Sequence, residues 1–288
     1  MNATRKKIKK LEVMVADVIE ETPDTTTLIL FTGNDLLDYE PGHFLTIDPH
    51  QFVALERWTA FLEDKKGKKE SPRAYSLSSS PDEKYLAITV KEEMYYPGKS
   101  KYPPLLSPIL AKRTHKGSKM IVTGFTGPYT LPKNGPLPSE ILHICAGSGI
   151  VPNYSILKYA LKIYPDIKHT LVYSNQSWKN TIFGKQLIDL QMQFPDQLTV
   201  DFLFTREEPD RFNLPYQTGR ITSERIERKL AKMDHPQIYL CGPGISKYEK
   251  ISARKEGVAP APRFLESVLF SLEGLGIEKK QITHESYG

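Results

Sequence analysis

The sequence predicts an N-terminal antiparallel β-barrel domain followed by a doubly wound α/β domain built on a parallel sheet. Three observations predict it. Over about the first 130 residues, short apolar runs alternate with period two and break at turn residues, as antiparallel strands do. Beyond them, wholly apolar runs alternate with segments of helical period, the pattern of a parallel sheet buried on both faces. Between the two stands PKNGPLP, residues 132–138, a proline- and glycine-rich joint. The expected domains are therefore residues 1–135 and 136–288.

In the first domain, LEVMVADVIEE and TTTLILFT flank the turn-forming TPD, and HFLTIDP follows Pro41-Gly42. The extended stretch SPRAYSLSSSP, residues 71–81, precedes a strand at Tyr85–Lys91, and KMIVTGF comes later. Short strands at this spacing suit a small barrel. Residues 51–71, with KKGKK at 65–69, and residues 94–110 read as irregular and are long for barrel loops. In the second domain, the apolar strand ILHICAGSG leads into a helix, PNYSILKYALKIY. Ile156, Leu157, Ala160, Leu161 and Tyr164 form its apolar stripe. HTLVYSN, TIFGKQLIDLQMQ, LTVDFLFT, SERIERKLAKM, QIYLCG and RFLESVLFSLEGLG continue the alternation. Such βαβα order makes a parallel sheet.

Composition excludes several classes. With 39% hydrophobic and 25% charged residues the chain is neither disordered nor fibrous. No apolar run approaches the ~20 residues of a membrane helix. MNATRKKIKK is basic without an apolar core and reads as a solvated arm. A net charge of +5, with no groove-reading motif, falls short of a nucleic-acid footprint. Two cysteines, Cys145 and Cys241, make neither a disulfide framework nor an iron–sulfur site, and suit a reducing cytoplasm. Histidines 43, 50, 115, 143, 169, 235 and 284 lack metal-ligand spacing.

Chemistry concentrates in three places. In AGSGIVP, residues 146–152, Gly147 and Gly149 permit a tight turn between strand and helix, and Pro152 suits the first helical turn. A helix opened this way favours a phosphate, although a plain strand-to-helix turn looks the same. YLCGPG, residues 239–244, repeats that grammar at another strand end. Cys145 reads best as buried filler, whereas Cys241, beside its glycine turn, is filler or functional. In SPRAYSLSSSP, Arg73 and Tyr75 share one face of an extended chain and Ser76 the other. That arrangement suits a planar, phosphate-bearing ligand, or an ordinary loop.

Taken in order, RAYS, GFTGPYTLP, AGSGIVP, TREE…GRI, YLCGPG and ESYG resemble the ferredoxin–NADP reductase-like flavoproteins. Any one of these is modest; six in sequence order, spanning residues 10–288, are specific. The resemblance implies FAD and a nicotinamide, NADP in preference to NAD. It places Arg73 on the flavin pyrophosphate, Tyr75 against the flavin ring and Ser76 near N5, with Ala74 between them. Thr89, Val90 and Lys91 of one strand, and Gly127, Tyr129 and Thr130 of one turn, become further flavin contacts. Gly147, Ser148, Gly149, Pro152, Ser174, Cys241, Gly242 and Pro243 face the nicotinamide nucleotide, and Arg206 and Arg220 its 2′-phosphate. Where many relatives have Arg after YSN, this chain has Gln176.

Glu285 and Tyr287 match a Glu-x-Tyr ending, with Gly288 extra. By resemblance Tyr287 covers the flavin as a movable lid; without it, these residues read as a fraying end. Ser76, Cys241, Glu285 and Tyr287 are then the residues nearest hydride transfer. The electron acceptor is implied to be separate: a ferredoxin, a flavodoxin or an oxygenase component. KKGKK is either a docking patch for such an acidic partner or a wet loop. A flavin- and nucleotide-binding subunit without turnover is the rival from another class.

Overall fold

The computed structural model describes residues 10–33, 37–98, 100–133, 135–207 and 215–287. All of the basic N-terminal arm but Lys10 lies outside the described residues, as do Gly288 and residues 208–214.

Six antiparallel strands form the first sheet: β1 (Leu11–Thr22), β2 (Thr25–Phe31), β3 (Phe44–Ile47), β4 (Arg73–Ser76), β5 (Leu86–Lys91) and β6 (Lys119–Thr126). Their order is β4-β3-β6-β1-β2-β5. The outer strands meet through an antiparallel bridge, Leu77–Ile88, which curls the sheet into the expected barrel. Alternation sets the faces: Leu11, Val13 and Val15 of β1 point inward while their neighbours are exposed. Leu28, Leu30, Leu45, Ile47, Ile88 and Val122 fill the interior.

Residues 51–71 are not irregular: they hold helix α1 (Glu56–Lys66). Only Thr59 and Leu62 of α1 are buried, so its apolar stripe is too narrow to show in the sequence. It ends at Gly67, which adopts the left-handed conformation, φ 65°, and caps the helix. Residues 94–110 likewise run into α2 (Ser107–Lys112), where Ile109 and Leu110 join the barrel core.

The second sheet is parallel, in order β10-β9-β8-β7-β11-β12. Its strands are β7 (Glu140–Ala146), β8 (Lys168–Asn175), β9 (Leu198–Phe204), β10 (Tyr216–Thr218), β11 (Gln237–Pro243) and β12 (Ile282–Tyr287). From β7 the chain winds outward through β10, then returns to place β11 on the other side of β7. That reversal makes the β7–β11 crevice a topological switch point, where open α/β sheets take their ligands. Helices α3 (Ile150–Ile163) and α4 (Gly184–Gln193) cover one face, and α5 (Ser223–Leu230) and α7 (Phe264–Gly274) the other. A further helix, α6 (Lys247–Lys255), follows the YLCGPG turn and starts in a Ser246–Glu249 capping box.

The expectations missed β10, α6 and β12. Without partners, the polar run of β12 has no strand signature; β11 supplies its hydrogen bonds. Tyr287, described as part of β12, therefore belongs to a strand paired with Pro243 rather than to a frayed tail.

Helix α3 also docks on the barrel. The Ser155 hydroxyl donates to Ser79 O at 2.6 Å, Lys158 Nζ lies 2.6 Å from Glu83, and Lys162 Nζ 2.8 Å from Asp82.

Candidate functional site

Strand register decides which residues meet. Tyr173, Cys145, Cys241 and Glu285 occupy one row across β8, β7, β11 and β12. The next steps along the strands bring Ser174 beside Ala146, and Pro243 beside Tyr287. The turns AGSG and CGPG and the Glu-x-Tyr segment thus share the carboxyl edge of the sheet, on both sides of the switch point.

The two glycines of AGSG serve different needs. Gly147 sits at φ 54°, which disfavours any residue with a Cβ. Gly149 has an ordinary backbone, but a Cβ there would come 2.1 Å from Cys241 O. Only glycine lets the two turns approach. Pro152 lies in the first turn of α3, and Ser148 is half-buried.

From the barrel, β4 reaches this edge. The Tyr287 hydroxyl donates to Ser76 Oγ at 2.5 Å, tying the Arg-x-Tyr-Ser strand to the Glu-x-Tyr strand across 211 residues. Burial pushes the phenols of Tyr75 and Tyr287 upward, so both stay neutral. Arg73 is already placed: Nη2 lies 2.5 Å from Glu70 Oε2, and Nη1 donates to Ser71 O. Glu70, only 5% exposed, also meets Lys66 Nζ at 2.5 Å. The segment read as irregular therefore supplies the carboxylate that orients Arg73. Ala74, between Arg73 and Tyr75, is exposed.

Glu285 is half-buried, and its Oε2 is enclosed without a hydrogen-bond partner. Burial raises its carboxyl to about 7. An enclosed, unpaired carboxyl oxygen is costly unless the group is neutral or a ligand donor meets it. Beside it, Cys241 is fully buried, and burial followed by the Glu285 carboxyl pushes its thiol well up. Cys241 is thus a neutral thiol with no nucleophilic character. Cys145 is equally buried and packs in the core, as read from the sequence.

Other predicted contacts are placed less directly. Thr89 Oγ1 bonds Thr27 Oγ1 at 2.7 Å, Val90 is buried, and Lys91 Nζ lies 3.2 Å from Asp24. These side chains are engaged by the barrel, leaving a ligand the outer backbone edge of β5. Gly127, at φ 149°, opens the turn to Thr130. The Tyr129 ring is buried and its hydroxyl donates to Asn153 Oδ1 at 3.0 Å, while Thr130 O accepts from the Tyr239 hydroxyl at 2.8 Å.

At the far edge of the same sheet end, Phe204 of β9 pairs with Thr218 of β10. Arg206 and Arg220 each lie two residues beyond that pair, and both are exposed. Arg206 N–H donates to Gln176 O at 2.8 Å, so the glutamine that replaces the relatives' arginine holds this corner through its backbone.

The arrangement holds protons and orients rather than attacks. Its glycine cradle, its anchored arginine and its unpaired carboxyl oxygen fit a flavin and a nicotinamide nucleotide. A cavity of about 190 Å³ lies elsewhere, between α5 and the sheet floor of Leu142, Ile144, Val172 and Leu203. Functional readings attach to the strand ends instead, because glycine approach, register and unpaired polar atoms converge there.

Sequence reasoning missed Glu70 and Asn153. Glu70 sits in a segment with no visible period. The signal for Asn153 was His143, a polar residue in a wholly apolar strand, which requires a buried partner.

Comparison with known proteins agrees with this geometry. Residues 143–248 match the oxidoreductase NAD-binding domain. The chain is 32% identical over 197 residues to the ferredoxin reductase component of 3-ketosteroid-9-alpha-monooxygenase from Mycolicibacterium smegmatis, covering 66% of this chain and 48% of that protein. It is 24% identical over 292 residues to flavohemoprotein B of Dictyostelium discoideum, covering 96% of this chain and 59% of the relative. The chain thus spans about half the length of the curated relatives it matches. Among solved structures, the cytochrome b5 reductase domain of Ulva prolifera nitrate reductase superposes with a TM-score of 0.70 at 21% identity, over 96% of this chain and 97% of that one. Ferredoxin–NADP+ reductase from Plasmodium falciparum superposes with a TM-score of 0.62 at 19% identity, over 96% of each chain. The chain thus has the fold of ferredoxin–NADP+ reductase along almost its whole length, with an oxidoreductase NAD-binding domain in its second half.

Proposed function

We propose that this protein is an FAD-dependent reductase that takes a hydride from NADPH and delivers electrons to a separate acceptor. The observation that carries the reading is the 2.5 Å bond between Tyr287 and Ser76, which joins the expected flavin strand to the expected nicotinamide lid. Residues 1–135 form the flavin-binding unit and residues 136–288 the nicotinamide-binding unit. When bound, FAD would supply the redox chemistry, as a hydride acceptor able to give up electrons singly.

The chain's own residues position and screen. Arg73, held by Glu70, offers a guanidinium fork to the pyrophosphate. Thr130, with the Gly127–Tyr129 turn, adds a second phosphate contact. Tyr75 and Tyr287 would flank the flavin ring, and Tyr287 would make way for the nicotinamide. Ser76 would hydrogen-bond at the N5 edge. Gly147, Ser148 and Gly149 receive the nucleotide phosphate at the start of α3, flanked by Ser174, Gly242 and Pro243. Glu285 meets the nicotinamide with its unpaired oxygen, and the neutral Cys241 thiol packs beneath it. The matched positions of Arg206 and Arg220 suit a 2′-phosphate, which favours NADPH over NADH.

The acceptor is a small redox protein such as a ferredoxin or flavodoxin. A second reading, the reductase component of an oxygenase system, is favoured by the names of several relatives, ferredoxin reductase components of 3-ketosteroid-9-alpha-monooxygenase. The acceptor changes between the two readings; the half-reaction does not. No helix among the described residues is long and apolar enough to cross a membrane, and two free cysteines suit the cytoplasm. Anaerobic mixing with NADPH and NADH is the test. Rapid bleaching of the visible flavin band, faster with NADPH, is expected; a flavin inert to both would favour a nucleotide-binding subunit.

A further inference from the structure

His143 stands in the middle of β7, wholly buried, where a polar ring must find partners. Its Nδ1 lies 2.8 Å from Asn153 Oδ1, and its Nε2 3.1 Å from His169 Nδ1. Asn153, also fully buried, donates through Nδ2 to Gly149 O at 2.8 Å. That donation leaves Oδ1 as the acceptor, and it takes the Tyr129 hydroxyl at 3.0 Å. His143 must then carry its proton on Nδ1, and its Nε2 accepts the Nδ1–H of His169. One amide orientation thus sets every proton in the cluster, with both imidazoles neutral. Burial agrees, lowering His143 to about 4 and His169 well below the usual imidazole value.

Three segments meet at this amide. Tyr129 comes from the turn placed against the flavin, Gly149 from the turn placed against the nicotinamide phosphate, and His143 from the strand between. Packing of α3 on the barrel does not require the contact, because Ser155, Lys158 and Lys162 already hold the helix. Asn153 holds the turn instead. Gly149 has little room to shift toward β11, since a Cβ there would come 2.1 Å from Cys241 O. The same flavin turn is held from β11 by the Tyr239 hydroxyl, whose ring meets Tyr129 edge-on at 5.3 Å.

We propose that Asn153 is a positioning residue that couples the flavin turn to the nicotinamide turn, so that one buried amide sets the registry of the two cofactor seats. The inference rests on the reductase reading above. Its test uses Tyr129→Phe, which removes one hydroxyl and keeps the ring, with Asn153→Leu and the double variant, each loaded with FAD. Flavin affinity, thermal midpoint, NADPH and NADH dissociation constants, and anaerobic hydride-transfer rate at saturation are measured.

Tyr129→Phe is expected to retain flavin while weakening both nicotinamides equally, by about threefold to tenfold, the worth of one buried hydrogen bond. The charge-transfer absorbance between nicotinamide and flavin should fall with it. Adding Tyr129→Phe to Asn153→Leu should cost nothing further in affinity, because the two changes break the same bond. Unchanged nicotinamide affinities in Tyr129→Phe would overturn the coupling, as would additive losses in the double variant. Should Asn153→Leu fail to fold, Tyr129→Phe alone decides. A wild-type flavin that neither nicotinamide bleaches overturns the reductase reading, and the coupling with it.

Discussion

Glu285 shows how a single side chain reports on its surroundings. Its folded carboxyl sits near 7 rather than 4.5, because burial disfavours the charged form. A raised value means that the folded state holds the proton more tightly. Its contribution to stability is present below about pH 4.5 and is lost as pH rises through 7. Glu285→Gln should therefore match the wild type near pH 5 and exceed it by a few degrees of thermal midpoint at pH 8. A difference that does not vary with pH would refute the assignment. The Glu-x-Tyr spacing was legible; the enclosure of one oxygen was not, since it depends on how β12 packs beside β11. Cys241 was left open by its sequence, and the structure decides for a neutral, buried thiol. Arg73 was legible as a cation, but its partner Glu70 lies in a stretch with no period to mark it.

Among elements, the AGSG turn was the sharpest sequence signal, and its two glycines should fail differently. Gly149→Ala pushes a methyl into Cys241 O and should cost about 1–3 kcal/mol of stability together with most nicotinamide affinity. Gly147→Ala meets no neighbour within 4 Å and pays only backbone strain, about 1 kcal/mol, measured by urea midpoint. Equal costs at the two positions would contradict the geometry. At the other edge, Arg206 and Arg220 follow the paired ends of β9 and β10. Arg206→Ala should weaken NADPH about tenfold and leave NADH within about twofold, by equilibrium titration. An equal loss for both nicotinamides would remove the case for a 2′-phosphate site. Long periodic elements such as α3 were readable because one face of each is mostly apolar. α1, β10 and β12 were not, because their regularity comes from neighbours rather than from their own residues.

Across the whole molecule, α3 belongs to one sheet and fastens the other. Lys158 is 13% exposed and Glu83 22%, so this pair is sheltered enough to matter. Lys158→Ala combined with Lys162→Ala should cost about 1–3 kcal/mol and split a single calorimetric transition into two. A double variant that still unfolds in one step at the wild-type midpoint would show that the seam rests on apolar contacts alone. The sequence by itself determined the two fold classes, their order, and the glycine turns that stand at the carboxyl edge of the parallel sheet. Those follow from hydrophobic period and from glycine and proline placement, which act locally. Tertiary structure alone decided that Ser76 meets Tyr287, that Tyr173, Cys145, Cys241 and Glu285 share a row, and that Asn153 joins three segments. Each is a contact between residues far apart in the chain, set by strand register and interdomain packing, which no local pattern encodes.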